Sequence, residues 1–259
     1  MRPLRELDAR GVRAVLLDID DTLTTEGKLT AQAFSVLERL KDAGKLVVPV
    51  TGRPAGWCDH IARMWPVDAV VGENGAFYFG FFEKTLVRRF HDEPATRARN
   101  RARLEAIAAS IVAAIPGCAL ASDQAYRETD LAIDYREDVA PMCLEAAERI
   151  AALMRQAGLT AKISSIHVNG WFGGYDKLAM TRALFEERFG IDLAGQNAST
   201  VFVGDSPNDA PMFEFFEKSV GVANVRRFAG GLSHEPKYVT LAGSGAGFAE
   251  LGNHLLRQT

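Results

Sequence analysis

Apolar and polar positions change their rhythm twice along the chain. Residues 14–19 carry a nearly continuous apolar run, Ala14, Val15, Leu16, Leu17 and Ile19, as expected of a strand buried on both faces of an α/β sheet. Phe34, Leu37 and Leu40 then recur at i, i+3 and i+6. They predict a helix over 31–43, with Thr30 as its N-cap and Gly44 just past its end. Residues 45–50 predict a second strand, in which Pro49, lacking an N–H, belongs near the end or on an unpaired side. A helix is expected from Pro54 to about Trp65. A short strand over 69–71 follows, then the turn-rich Gly72-Glu73-Asn74-Gly75. Strand, helix, strand, helix, strand is the alternation of a parallel sheet with covering helices.

From about 84 to 168 the rhythm differs. A long helix over 93–115 stops at Pro116-Gly117, residues 131–135 alternate, a helix over 141–157 ends at Gly158, and a strand runs through 162–164. Half-buried alternation suits a small sheet covered on one face, so an inserted α+β domain is expected. The first rhythm then returns: helix 177–189 closed by Gly190, strand 200–203, helix 210–216, strands 219–222 and 238–240, and helix 248–255. The expected architecture is a doubly wound, Rossmann-like parallel-sheet α/β core made of 1–82 and 169–259, with 83–168 inserted.

Composition narrows the function classes. The 259 residues hold 30 Lys+Arg against 33 Asp+Glu, a net −3, so no global basic field points to nucleic acid. Cys58, Cys118 and Cys143 form no C-x-x-C pair, which argues against a disulfide framework or cysteine zinc site and favours a reducing compartment. Residues 1–10 are charged and have no apolar core, unlike a signal peptide. The stretch 106–121 is interrupted by Ser110, Pro116 and Gly117 and is too short to span a bilayer. A cytoplasmic protein without membrane partners is expected; oligomeric state has no signature in the sequence.

Candidate chemistry collects where strands end. Asp18-Ile19-Asp20-Asp21-Thr22 closes the first strand. In extended chain Asp18 and Asp20 point to one side, and doubly wound sheets bind ligands outside the carboxyl ends of their strands. Alone, the segment reads equally well as a polar turn capping the next helix. Val50-Thr51-Gly52-Arg53 follows the second strand, Lys177 opens a helix after Gly173-Gly174-Tyr175-Asp176, and Gly204-Asp205-Ser206-Pro207-Asn208-Asp209 follows the 200–203 strand. Singly these are turns, an Asx-rich cap or a solvated lysine; together at one end of a sheet they point to a ligand site.

This ordered set, Asp18-x-Asp20-x-Thr22, Thr51-Gly52-Arg53, Lys177 and Gly204-Asp205-x-x-Asn208-Asp209, resembles the four motifs of the haloacid dehalogenase (HAD) superfamily. The insertion after Glu73-Asn74-Gly75 looks like the type IIB (Cof-like) branch, whose members include sugar-phosphate and phosphoglycolate-type phosphatases. The resemblance implies that 83–168 is a C2-type cap and that the substrate is a small phosphoester, hydrolysed through an aspartyl-phosphate. It implies Asp18 as nucleophile and Asp20 as general acid and then base, with clustered carboxylates raising its pKa. Mg²⁺ would be held by the Asp18 and Asp205 carboxylates and the Asp20 carbonyl, with Asp209 as ligand or outer partner. Thr51, Gly52, Lys177 and Asn208 would hold the phosphoryl oxygens. The family's usual glycine after the second aspartate is Asp21 here, a residue type that tolerates left-handed backbone. Two alternatives stay open: a phosphosugar mutase resembling eukaryotic-type phosphomannomutase, and a non-catalytic phospho-ligand or receiver-like module. Receivers, at about half this length, have no reason to keep an acid such as Asp20.

Arg53, Glu73, Asn74, His167 and Asn169 are weaker substrate candidates. Trp171 and Phe172 beside them suit either a polar metabolite or packing of the domain hinge. Arg97, Arg99, Arg101 and Arg103 read as a solvated helix or as a local positive potential that draws in anions. Gly243-Ser244-Gly245-Ala246-Gly247 lacks phosphate-loop spacing and is expected to be a structural turn. Cys58 and His60, two apart in a helix, lie on different faces and do not suggest a metal site.

Overall fold

A computed structural model describes residues 1–258. Its main sheet has six parallel strands: β1 (Arg2–Pro3), β2 (Ala14–Leu17), β3 (Leu46–Pro49), β11 (Thr200–Gly204), β12 (Lys218–Gly221) and β13 (Tyr238–Val239), in the order β1-β13-β12-β11-β2-β3. All four residues of β2 are buried, as its unbroken apolar run requires. On β3, Leu46 and Val50 donate to Arg13 and Leu17 on the β2 side. Val47 and Thr51 donate the other way, to Asp68 and Val71. Pro49 shares their orientation, so its missing N–H leaves the β2 ladder intact.

Helices α1 (Ala31–Asp42) and α7 (Ser244–Arg257) cover one face of the sheet; α5 (Lys177–Leu184) and α6 (Ala210–Phe215) cover the other. Thr30 caps α1, its Oγ1 accepting the Ala33 N–H. A π-helical turn over Phe185–Phe189 extends α5 and ends at left-handed Gly190. The glycine-rich segment expected as a turn is instead the first turn of α7. A Cβ on Gly252 of that helix would lie 2.1 Å from Val36 Cγ1, so glycine allows α1 and α7 to pack this closely.

An antiparallel sheet of β4 (Val70–Gly72), β5 (Phe77–Phe82) and β6 (Thr85–Phe90) flanks β3 through the Val50–Val71 bridge and packs on α2 (Ala55–Met64). Pro54 precedes α2 as its N-cap. The inserted layer is a second antiparallel sheet, β7 (Ala119–Leu120), β8 (Leu131–Asp134), β10 (His167–Trp171) and β9 (Thr160–Ile163) in that order. It is covered by α3 (Pro94–Ala114) and α4 (Leu144–Gln156). The β5–β6 hairpin turns at residue 83, and β10 runs past residue 168 so that Trp171 is buried among the aromatics of β5. Among the described residues no helix is long and apolar enough to cross a membrane.

Candidate active site

Asp18 and Asp205 immediately follow the adjacent parallel strands β2 and β11. The Asp18 N–H still bonds Val203 O at 2.9 Å, so the ladder itself fixes where the carboxylate begins. Asp209 comes from a tight turn over Pro207–Asp209 closed by a reciprocal Ser206–Asp209 capping box. Its Oδ2 accepts the N–H groups of Asp205 at 3.0 Å and Ser206 at 3.2 Å. A Cβ on Gly204 would stand 2.4 Å from that oxygen; glycine is what lets the turn fold back on its own strand. Carboxylate oxygens of Asp18, Asp205 and Asp209, all buried, lie within 4.8 Å of one another.

Lys177 is the first residue of α5, which Asp176 caps by accepting the Ala179 N–H at 2.8 Å. Its Nζ donates to Asp18 Oδ1 and Asp209 Oδ1, each at 2.7 Å. Burial disfavours the ammonium, but those two carboxylates more than offset it and hold the Lys177 pKa above its ordinary value. One lysine does not balance three carboxylates. Burial pushes the Asp18 carboxyl up to about 8 against the pull of Lys177, with Asp209 and Asp20 adding to the rise. Burial, then Asp18 and Asp209, push Asp205 far above the carboxylate range. Hard oxygen donors, tightly grouped and short of positive charge, fit Mg²⁺.

Asp20 faces Arg53, which donates Nε at 2.9 Å and Nη2 at 2.7 Å to Asp20 Oδ1. Thr51 Oγ1 accepts the Arg53 N–H at 3.0 Å. Asn208 accepts from Ser206 Oγ and donates to Asn74 Oδ1 at 3.2 Å. Asn74 Nδ2 is buried without a hydrogen-bond partner, near the space beside Gly52. An unmet donor there suits a phosphoryl oxygen. Asp21 takes the left-handed backbone (φ 56°) that its residue type was expected to tolerate, and Asn224 bridges its carbonyl at 3.0 Å to Asp205 Oδ2 at 2.9 Å.

A family profile of haloacid dehalogenase-like hydrolases matches residues 15–94. The structure is similar to a HAD/COF-like hydrolase of Plasmodium vivax (TM-score 0.70, 17% identity, covering 99% of this chain and 100% of that one). It is also similar to a Thermoplasma acidophilum protein (0.68, 17%, 95% and 98%). A third neighbour is the sucrose-phosphatase of Synechocystis, solved with sucrose and phosphate (0.63, 14%, 95% and 98%). The fold is that of the haloacid dehalogenase-like hydrolases. No curated protein sequence matches the chain.

Within this haloacid dehalogenase-like fold the weaker candidates separate. Arg53 Nη2 donates to Glu137 Oε1 at 2.5 Å, and His167 Nε2 lies 2.9 Å from Glu137 Oε2. Arg53 thus ties the core to the inserted layer. Residues 164–167 of the β9–β10 turn close over Asp18, Asp20 and Asn208, leaving a cavity of about 10 Å³. Glu73 is placed elsewhere. Its buried carboxylate accepts the backbone N–H groups of Ala55, Glu128, Thr129 and Asp130 and the Thr129 hydroxyl. Asn169 donates to Asp130 Oδ2 at 2.9 Å. Arg127, fully buried, bonds Asp123, Asp130 and the Gly52 carbonyl (2.9 Å).

Sequence reasoning passed over Glu137, Asp123, Arg127 and Asp130. The signal for Glu137 was present: Arg136-Glu137-Asp138 is a charged turn at a strand end, the feature that singled out the core motifs.

Proposed function

We propose that the protein is a Mg²⁺-dependent phosphatase of small phosphorylated metabolites, sugar phosphates among them, working through an aspartyl-phosphate. The observation that carries this reading is the placement of Asp18, Lys177 and Asp209 within 2.7 Å contacts at the carboxyl end of the parallel sheet, with Asp20 across from them. The inserted layer is taken as the cap, and its closure over Asp18 supports a reaction shielded from bulk water.

In this reading Asp18 Oδ2, the oxygen not bonded to Lys177, attacks phosphorus while the bond to the leaving oxygen breaks. Asp20 gives that oxygen its proton. Asp20 then takes a proton from water as the water attacks phosphorus and the phosphorus–Asp18 bond breaks, restoring both carboxyl groups. Arg53 must slacken its grip on Asp20 for either transfer, and entry of substrate between Arg53 and Glu137 supplies the occasion. Lys177, Thr51, the Gly52 N–H, Asn74 and Asn208 hold phosphoryl oxygens as charge shifts among them. Asp18 and Asp205, with the Asp20 carbonyl, would hold Mg²⁺, which supplies charge neutralisation at the phosphoryl group. Asp209, both oxygens already engaged, positions Lys177 and the 204–209 turn.

The test is phosphate release from a panel of sugar phosphates, phosphoglycolate and phosphoglycerates, with Mg²⁺ and with chelator. Mg²⁺-dependent release from at least one of them is expected. A panel without turnover overturns the reading and favours a non-catalytic phospho-ligand module.

A further inference from the structure

A cleft of about 550 Å³ opens between the core and the inserted layer, and it shares no lining residue with the cavity at Asp18. Arg88 of β6 lines its core wall, and Arg97 and Arg101 of α3 line the opposite wall. Only two carboxylates, Asp59 and Glu128, line it with them. Asp59 is already divided between Arg63, at 2.8 Å, and Arg88. A positive cleft of this kind stands out in a chain of net charge −3.

Two of the arginines, Arg88 and Arg97, stack on aromatic rings. Arg97 Cζ sits 3.8 Å from the centre of the Phe90 ring, and Arg88 Cζ lies 5.7 Å from that of Phe79. The two rings touch, with centroids 5.6 Å apart. Arg97 Nη1 donates to Asp92 O at 2.9 Å, but its Nε is buried without a hydrogen-bond partner, and Glu128 Oε2 stands 3.9 Å away. Arg101 spends one donor on the Arg127 carbonyl. A buried guanidinium N–H without an acceptor destabilises the fold, a cost that an oxyanion in the cleft removes. Tyr126, exposed on the same wall, offers a flat surface to the remainder of such a ligand.

We propose that this cleft is a second ligand site, taking the phosphate group of a small phosphorylated molecule between Arg88 of the core and Arg97 and Arg101 of the inserted layer. A tetrahedral dianion offers acceptors in several directions and so suits guanidinium groups approaching from two walls. Because the walls belong to different layers, occupation fastens one layer to the other.

Inorganic phosphate is the probe, added in the presence of chelator to protein labelled with ¹⁵N-arginine. Arg88, Arg97, Arg101 and Arg53 Nε–H resonances are assigned through single Gln variants. The proposal expects Arg88, Arg97 and Arg101 to shift together and saturate with one dissociation constant, separate from that of Arg53, which reports the Asp18 cavity. Arg97→Gln should weaken the response read at Arg88 by roughly ten- to a hundredfold. Arg88→Gln, at a half-exposed position on an outer strand, should do the same at Arg97 and guards against a folding defect in the first variant. Shifts confined to Arg53, or shifts at the three arginines that never saturate, overturn it.

Discussion

Two buried charge clusters lie near the Thr51-Gly52-Arg53 loop, and each gathers three carboxylates about a central cation, the first with further help from Arg53, whose Nη1 lies 3.4 Å from Asp123. Around Arg127 stand Glu73, Asp123 and Asp130; around Lys177 stand Asp18, Asp205 and Asp209. Burial raises carboxyl pKa values in both, Glu73 to about 7 and Asp18 to about 8. The difference lies in the donors. Glu73 collects five of them, and Asp130 has the Arg127 guanidinium and the Asn169 amide. Asp18 receives one donor on Oδ1, and Asp205 a 3.4 Å contact from Thr22 and the Asn224 amide. Three carboxylates therefore have different meanings in the two places. A cluster whose lone pairs are filled by the chain is a structural seam. A cluster left open on one side is prepared for a cation and an anion from outside.

Substitutions can break this contrast. Asp18→Asn should lower phosphate release by at least about 10⁴-fold with no fall in melting temperature, because it removes one uncompensated buried charge; turnover assays and thermal melts read both. Arg127→Met should do the reverse, costing about 3–5 kcal/mol of stability in denaturant titrations, since it strips the fully buried Asp130 of its cation and leaves Asp123 only the longer contact to Arg53. If Arg127→Met left stability intact, the seam interpretation would be wrong. Asp20→Asn should slow alkyl phosphate esters by roughly 10²–10⁴-fold and p-nitrophenyl phosphate far less. Equal slowing of both would remove the acid role.

The smallest effect concerns Glu137. Burial raises its carboxyl, but hydrogen bonds from His167 and Arg53 outweigh burial and hold it down to about 2. A carboxyl depressed on folding stabilises the folded form fully above its ordinary value near 4.5 and loses that contribution as pH falls through about 2. Acid titration of stability should therefore be shallower in Glu137→Gln than in the parent, between pH 4.5 and 2.

The core's share of the site could be read in the sequence because each motif sits at a strand end, where local pattern and topology coincide. The β2 apolar run, the Thr30 cap and the Gly190 stop are local in the same way. The β5–β6 hairpin was not foreseen: Phe77–Phe82 lacks alternation, being buried over its first four positions, and Thr85–Phe90 mixes apolar and charged residues without alternation and is half exposed. The seam was equally hidden. Glu73 meets Glu128, Thr129 and Asp130 more than fifty residues away, and nothing in a short window distinguishes Arg127-Glu128-Thr129-Asp130 from a solvated loop. The first turn of α7 escaped because glycines read as breakers, whereas here Gly245 and Gly247 let the helix start hard against the Leu23 and Ala242 carbonyls.

The narrow cavity over Asp18 also bears on the pace of the proposed reaction. About 10 Å³ is near the room one water molecule needs and far below what a sugar phosphate occupies. If the protein is the phosphatase proposed above, substrate entry and product departure must each await withdrawal of residues 164–167 and of Glu137 from Asp18, Asp20 and Arg53. The ceiling on kcat is then the frequency of that parting, so a viscous solvent should slow multiple turnovers while leaving the first chemical step in the closed complex at its own rate.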